Sequence, residues 1–164
     1  MNPSSALNLK CRVRPGGRGC FAGVWLWLLL GAALHAAPDP NWQTLSSKRG
    51  DIPVPPGGSK QQTGAVVADF DGDGVNDFML SFRQKPPALV WYRRTATGWD
   101  PYVVEKDYLT IEAGGAVLDI DGDGDLDVVF GGDWQSSEVW WWENPAPKFD
   151  KNTPWKRHVI KTSG

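Results

Sequence analysis

Two short acidic stretches of this 164-residue chain carry the residue types that bind hard metal ions. The first spans residues 69–77 and reads DFDGDGVND, and the second spans residues 119–127 and reads DIDGDGDLD. Carboxylates crowd together in each stretch, and they repel one another unless a cation lies among them. The sequence therefore predicts a metal-binding loop that occurs twice, from Asp69 and from Asp119, 50 residues later.

The spacing of the oxygen donors indicates which ion these loops would hold. Aspartate occupies positions 1, 3, 5 and 9 of each loop, glycine occupies position 6 for a sharp turn, and position 7 would offer its backbone carbonyl. The predicted ligands are Asp69, Asp71, Asp73, Val75 and Asp77, and Asp119, Asp121, Asp123, Asp125 and Asp127. Oxygen donors without nearby His or Cys favour Ca²⁺ over zinc or copper, and Mg²⁺ prefers to keep several waters.

The acidic loops have two other interpretations. An EF-hand needs a bidentate Glu at position 12 and a helix on either side. Position 12 is Leu80 in one loop and Phe130 in the other, both within apolar, strand-like segments, which excludes this motif. Two Asp-Gly-rich turns without metal are the remaining alternative. The recurrence of all four aspartates at the same spacing favours metal, so Ca²⁺ is the predicted cofactor.

The chain around the loops alternates short apolar segments with turns and lacks an apolar stripe of helical period. β-branched and aromatic residues dominate these segments, as is typical of strands. Eight strands are predicted, at residues 64–69, 77–82, 88–93, 99–105, 115–119, 127–130, 138–143 and 155–160. The predicted fold class is therefore all-β, with four antiparallel strands in each of two repeats.

The two repeats agree beyond their acidic loops. Trp91 matches Trp141 at an offset of 50 residues, and Trp99 matches Trp155 once six further residues in a turn-rich insertion are allowed. Four strands in a repeat of about 40–50 residues are typical of a β-propeller blade. The predicted blades are residues 64–113 and 114–164. Because two blades cannot close a ring, we expect an incomplete propeller or a fragment of a longer protein.

The beginning of the chain has the composition of a targeting segment. Basic residues are followed by an apolar run at residues 21–34 and by small residues at 36–37, which predicts a signal peptide over residues 1–37. A retained membrane anchor is the alternative, although the run is shorter than the ~20 residues of a spanning helix. Residues 38–63 are predicted to be irregular, with residues 42–45 either a ring-closing strand or part of a linker.

The pattern D-x-D-G-D-G-x-x-D, between a glycine-led strand and an apolar strand, resembles the FG-GAP or VCBS repeat of integrin-like β-propellers. Residues 117–129 match closely, whereas the first copy departs at residues 76–78, which read NDF. The resemblance covers residues 64–160. It implies a structural Ca²⁺ in the hairpin between the first two strands of each blade, and a family with adhesive, ligand-binding and sugar-active members.

The charge of the chain argues against nucleic-acid binding, and the predicted signal peptide indicates a location outside the cytoplasm. From Pro38 onward the chain has 13 Lys and Arg against 19 Asp and Glu, a balance of −6, and no basic stripe for nucleic acid. No membrane partner is expected beyond the signal peptide. The predicted function is that of a secreted, periplasmic or cell-surface module that binds an extracellular ligand, either a glycan or a protein. The alternative is the N-terminal propeller of a carbohydrate lyase or dehydratase whose catalytic residues lie outside this chain.

The remaining aromatic and basic residues have two interpretations each. Residues 140–142, all Trp, form either a platform for sugar stacking or packing between blades, and packing is favoured. Trp134 is predicted to be the better exposed ligand contact. The basic pairs at residues 93–94 and 156–157 are interpreted as solvated strand ends or as contacts for an acidic glycan. No catalytic residue is predicted, and a non-enzymatic role is favoured.

Overall fold

The computed structural model describes residues 41–162, and these form eight β-strands without an α-helix among them. One 3-10 turn, Pro56–Gly58, precedes the first strand. The strands are β1 (Lys60–Ala68), β2 (Asp77–Lys85), β3 (Leu89–Thr95), β4 (Gly98–Glu105), β5 (Ile111–Leu118), β6 (Asp127–Gly132), β7 (Val139–Glu143) and β8 (Lys156–Lys161). All eight predicted strands are confirmed. The predicted signal peptide lies outside the described residues.

The strands form two separate four-stranded sheets, in the order β1-β2-β3-β4 and β5-β6-β7-β8. Every neighbouring pair is antiparallel, so each sheet is a simple meander in which sequential strands lie side by side. Short turns suffice for such connections, whereas parallel strands would need long crossovers. The structure thus confirms an all-β chain built of two four-stranded antiparallel units.

The registers of the two sheets repeat with the offsets expected from the sequence. Trp91 pairs with Met79 on β2, and Trp141 pairs with Val129 on β6, 50 residues later in both cases. On the next strand Trp91 pairs with Tyr102, whereas Trp141 pairs with His158. The additional six residues lie between β7 and β8, where the turn-rich insertion was predicted.

The first strand is longer than predicted. β1 begins at Lys60, within the stretch expected to be irregular, because its first residues pair with the end of β2 through Lys60–Lys85 and Gln62–Phe82. Register shifts interrupt this part of the ladder. The side chains of residues 60–62 are polar and exposed, so no alternation of apolar residues marks them as a strand.

The connection between the two units also differs from the predicted boundary at residue 114. β5 begins at Ile111, which is fully buried and whose carbonyl accepts a hydrogen bond from Thr63 Oγ1 of β1. Burial of an apolar side chain and a bond between the units hold these residues in the sheet. Earlier in the chain, residues 42–46 belong to no strand, and Trp42 is 88% exposed.

The main hydrophobic core lies between the two sheets. From the first sheet it receives Met79, Leu89, Trp91, Tyr102 and Val104, and from the second Val128, Phe130, Trp140 and Trp142. The insertion between β7 and β8 adds Trp155, whose ring centroid is 5.9 Å from that of Trp91. Large aromatic side chains dominate such packing because each buries 150–250 Å².

The sheets approach most closely where β1 passes β5. A Cβ atom placed on Gly115 would lie 2.5 Å from Val66 Cγ1 and 2.7 Å from Phe130 Cε1, too near for any side chain. The neighbouring Gly114 has open space instead. Glycine at position 115 therefore allows edge strand β1 of the first sheet to lie against edge strand β5 of the second.

Candidate metal sites

The two acidic loops occupy equivalent positions in their sheets. Residues 69–76 join β1 to β2, and residues 119–126 join β5 to β6. Gly74 and Gly124, at position 6, have φ of +88° and +99°. Only glycine adopts this backbone region without strain, so the sharp turn predicted at position 6 is present in both loops.

Three carboxylates of the first loop converge. Oxygen atoms of Asp69, Asp71 and Asp77 all lie within 4.8 Å of one another. The loop backbone holds the first of them in place, because the two Asp69 oxygens accept hydrogen bonds from Asp73 N at 3.0 Å and Gly74 N at 2.8 Å. Carboxylates held this close together repel one another unless a cation or a proton offsets their charge.

The second loop brings together the equivalent three residues. Oxygen atoms of Asp119, Asp121 and Asp127 also lie within 4.8 Å of one another. Asp119 accepts hydrogen bonds from Gly122 N at 2.7 Å and Gly124 N at 3.1 Å. Two independent copies of the sequence motif therefore fold into the same arrangement of positions 1, 3 and 9.

The aspartates at position 5 do not join these clusters. Asp73 Oδ1 accepts the backbone N–H of Val75 at 2.8 Å, and Asp123 Oδ1 accepts that of Asp125 at 3.1 Å. Each side chain thus closes a short turn within its own loop. Six of the ten residues predicted as ligands are brought together, and the position-5 side chains are directed to the backbone instead.

The position-9 aspartates are buried in both loops. Asp77 and Asp127 are each 1% exposed. Asp77 accepts hydrogen bonds from Arg94 N at 2.6 Å and from the indole Nε1 of Trp91 at 3.0 Å. Burial raises the pKa of the Asp77 carboxyl, and these two donors act against the rise. The residue therefore joins the loop to strand β3 as well as facing the cluster.

Asp127 makes the matching connections in the second unit. Its oxygens accept hydrogen bonds from Ile120 N at 3.0 Å and from Asn144 N at 2.8 Å, the latter 50 residues after Arg94. The Asn144 side chain was not identified from the sequence. Its Nδ2 donates to the carbonyls of Phe70 at 2.9 Å and Leu126 at 3.0 Å, one in each loop.

Asp125 has a role that the sequence did not predict. It was expected to contribute only its backbone carbonyl, yet its Oδ1 is buried and has no hydrogen-bond partner in the described structure. Burial first, and then the negative charge of nearby aspartates led by Asp123, together raise the pKa of this carboxyl to about 6. The residue lines a cleft of about 300 Å³ between the two loops, together with Asp69 and Asp71.

The donor set fits a hard divalent cation. The converging atoms are all carboxylate oxygens, and neither loop contains His or Cys. The buried oxygen of Asp125 is an acceptor for which residues 41–162 supply no donor. These features suit Ca²⁺ better than metals that select nitrogen or sulfur ligands.

Arg93, interpreted from the sequence as a solvated strand end or a contact for an acidic glycan, is partly exposed at the end of β3 but also makes an ion pair. Its Nε donates to Asp71 Oδ2 in the first loop, and the Asp71 side chain is only 2% exposed. Arg157 likewise pairs with Glu105 at 2.6 Å rather than with solvent alone. Strand-end position alone did not reveal these pairs because their acidic partners are 22 and 52 residues away in the sequence.

The tryptophans separate into buried and exposed sets. Trp140 and Trp142 are 3% and 0% exposed within the core, which agrees with packing rather than a sugar platform. Trp134 is 83% exposed and lies beside an open cleft of about 330 Å³ that Glu112 and Asp133 also line. Contact of Trp134 with a ligand stays a prediction; the structure shows the side chain exposed beside this cleft.

Comparison of this chain with protein-family models, with curated proteins and with solved structures finds no match. Within residues 41–162, no helix has the length and apolar character needed to cross a membrane. The assignment of function therefore depends on the loops, the sheets and the sequence motif.

Proposed function

We propose that this chain forms two blades of a secreted, calcium-binding β-propeller of the FG-GAP or VCBS type, which acts in binding an extracellular glycan or protein. One observation carries the proposal. The same acidic motif occurs at the same hairpin of two successive four-stranded sheets, and each copy brings three carboxylates within 4.8 Å. Turns without a metal need no such repeated cluster of like charges.

In this proposal the calcium is structural. The first ion would be held by Asp69, Asp71 and Asp77, and the second by the equivalent three aspartates at positions 119, 121 and 127. Bound Ca²⁺ supplies positive charge that offsets the repulsion of the carboxylates. The chain itself orients the ligands, through the loop amides on the position-1 aspartate and through the strand donors on the position-9 aspartate.

The packing of the sheets supports the interpretation as blades. The face of the first sheet that carries Met79 and Trp91 is buried against the second sheet. The equivalent face of the second sheet carries Val129 and Trp141, which are only half-buried. A third sheet on this face, packed as the second sheet packs on the first, would continue the same head-to-tail stacking.

The role in ligand binding rests on the exposed cleft described above. Trp134 stands on a turn fixed by two hydrogen bonds from backbone amides to Asp133, made by Gln135 N at 3.1 Å and Ser136 N at 2.9 Å. The exposed indole offers an apolar surface beside Glu112 and Asp133, which also pair with Arg83, and small-molecule sites combine apolar and polar groups in this way.

A calcium titration of the 164-residue chain tests the proposed function. Isothermal titration calorimetry should give two binding events, and thermal melting should show a higher melting temperature with Ca²⁺ than with a chelator. The double variants Asp69→Asn/Asp71→Asn and Asp119→Asn/Asp121→Asn, each of which removes two of the three clustered carboxylates, should each abolish one event. Asp107→Asn, an exposed residue outside both loops, serves as the control and should retain both.

The result that contradicts the proposal is equally clear. If Ca²⁺ produces neither heat of binding nor a change in melting temperature while the protein is folded by circular dichroism, the loops are turns and the proposed function is wrong. Equal responses to Mg²⁺ and Ca²⁺ would contradict the choice of ion, because the all-protein donor set suits the larger cation.

A further inference from the structure

The surroundings of the two loops differ in charge at two positions: position 7 is Val75 in the first loop and Asp125 in the second, and the charge is reversed at a neighbouring position on the strands. Arg93 at the end of β3 and Glu143 at the end of β7 are equivalent, 50 residues apart. Their partners in the ladder reverse as well, since Arg93 pairs with Asp100 and Glu143 pairs with Lys156. The sheets are otherwise alike in register, so this exchange changes the electrostatics of the loops without changing their fold.

In the first loop the position-3 aspartate is fully engaged by the protein. Asp71 Oδ2 accepts a hydrogen bond from Arg93 Nε, and Asp71 Oδ1 accepts one from Asp73 N at 3.3 Å. The Asp71 side chain is 2% exposed and that of Arg93 is 37% exposed. A charge-assisted bond to a buried carboxylate is among the stronger hydrogen bonds in proteins.

In the second loop the equivalent aspartate has no basic partner. Asp121 Oδ1 accepts a hydrogen bond from Asp123 N at 3.3 Å, while within residues 41–162 no residue donates to its Oδ2. The nearby side chain is the Glu143 carboxylate, which is itself bonded to Lys156 Nζ and His158 Nε2, each at 2.7 Å. The second cluster is therefore more negative than the first.

We propose that the positive charge of Arg93 partly replaces that of a metal ion in the first loop and competes with Ca²⁺ for Asp71. The second loop should therefore bind Ca²⁺ more tightly and fill first. The inference rests on the proposed function, since it concerns the relative affinity of the two calcium sites. An ion that enters the first loop has to displace the guanidinium of Arg93 from Asp71 or share the Asp71 carboxylate with it. An ion entering the second loop meets an Asp121 Oδ2 atom to which no residue within 41–162 donates, and the additional carboxylate of Asp125. Glu143 adds further negative charge, which Lys156 partly offsets.

The difference also affects folding without metal. Arg93 compensates the carboxylates of the first loop, whereas the second loop has no such compensation from the described residues. The first unit should therefore tolerate chelation better than the second. A single protein would then combine one site whose structure persists without calcium and one site that depends on it.

Calcium titration of variants that retain one loop each provides the test. Asp119→Asn/Asp121→Asn leaves the first loop intact, and Asp69→Asn/Asp71→Asn leaves the second loop intact. We expect the first loop alone to bind Ca²⁺ about tenfold more weakly than the second, the effect of one nearby opposing charge. Adding Arg93→Met to the variant with the first loop should remove most of this difference. Glu143→Gln in the other variant should weaken binding severalfold.

Arg94→Met is the matched control. Arg94 is adjacent in sequence, but its guanidinium lies 4.5 Å from the Trp99 ring centroid, and only its backbone N–H reaches the loop, at Asp77. This substitution should leave the calcium affinity of the first loop unchanged. Equal affinities of the two loops, or an equal effect of Arg93→Met and Arg94→Met, would overturn the inference.

Thermal melting separates failure of this inference from failure of the proposed function. In chelator, Arg93→Met should melt about 3 °C lower than Arg94→Met, and saturating Ca²⁺ should remove that difference. If both loops bind calcium but the two variants still differ in melting temperature at saturating Ca²⁺, Arg93 does not compete with the ion. The inference is then wrong and the proposed function stands. If neither loop binds calcium, the proposed function fails and Arg93 makes only an ordinary ion pair, so the inference falls too.

Discussion

The side chain of Asn144 in the second unit donates a hydrogen bond to the backbone carbonyl of Phe70 in the first loop, at 2.9 Å. The same amide nitrogen also reaches the carbonyl of Leu126, and the Asn144 backbone N–H donates to Asp127. One buried residue therefore connects the two acidic loops. Because Asn144 is 3% exposed, water cannot readily replace these bonds.

Replacement of Asn144 by Ala should destabilise the protein by roughly 1–3 kcal/mol, because two buried carbonyls lose their donor. The free energy of unfolding from urea denaturation measures this. Asn152→Ala, at an exposed position in the insertion, is the control and should change stability little. An Asn144 variant as stable as the control would show that the bridge between the loops carries no net free energy.

The close approach of the sheets can be tested with adjacent glycines. Gly115→Ala should cost about 1–3 kcal/mol, because its Cβ would overlap Val66 and Phe130. Gly114→Ala, with nothing within 4 Å of the added atom, should be close to neutral. The two variants differ by one position in the same strand, so strand propensity contributes similarly to both. Similar unfolding free energies for the two would contradict the packing described for β1 and β5.

Asp125 makes stability depend on pH in the absence of metal. The folded-state pKa of its carboxyl, about 6, is above the ordinary value of 3.8, so the folded protein favours the protonated form. Its contribution is present below the unfolded-state pKa and is lost as pH rises through about 6. Asp125→Asn in chelator should therefore show a smaller loss of unfolding free energy than the wild-type protein between about pH 4 and pH 7.

The comparison with the wild-type protein matters because other carboxyl groups titrate in the same range. Lys156 and His158, for example, lower the pKa of Glu143. A lowered carboxyl pKa makes the protein more stable as pH rises, the opposite of the effect of Asp125. Urea denaturation at several pH values, with Asp107→Asn as the control, isolates the contribution of Asp125. Parallel pH profiles for the wild-type protein and Asp125→Asn would refute the prediction.

Glu105 connects the end of β4 to the second unit. Its side chain, 6% exposed, accepts hydrogen bonds from Arg157 Nη1 at 2.6 Å and from the Trp142 indole at 3.2 Å. Glu105→Ala should destabilise the chain by about 2 kcal/mol, because both buried or half-buried donors lose their acceptor. Glu138→Ala, at an exposed site, is the control. Equal free energies of unfolding in urea for the two variants would show that the contacts of Glu105 with Arg157 and Trp142 do not stabilise the packing of the two units.

Local sequence pattern was sufficient to predict the strands and the hairpin loops. The alternation of apolar residues, the glycines at position 6 and the 50-residue offset each depend on neighbours within a few positions, or on simple repetition. For the same reason the six-residue insertion before β8 could be located from matched tryptophans, and the pairing of Trp141 with His158 confirms it.

Contacts between distant parts of the chain could not be predicted in this way. Asn144 reaches across 74 residues to Phe70, and Arg93 reaches back 22 residues to Asp71. Only the folded sheets bring these groups together, and a single basic or amide residue at a strand end gives no local signal of its partner. The direction of the Asp73 and Asp123 side chains toward the backbone was missed because ligand spacing alone does not distinguish a metal ligand from a turn-closing acceptor.

The two faces of each sheet are different, and this restricts the symmetry of any larger assembly. Between the sheets, the face with Trp91 meets the face with Trp142, so the contact joins unlike surfaces. A twofold dimer formed through the half-buried face of the second sheet would instead place Trp141 of one copy near Trp141 of the other, which does not reproduce the contact between unlike faces. Association that uses the observed packing is therefore heterologous, and its rotation per sheet determines whether successive units close into a ring or extend as a filament.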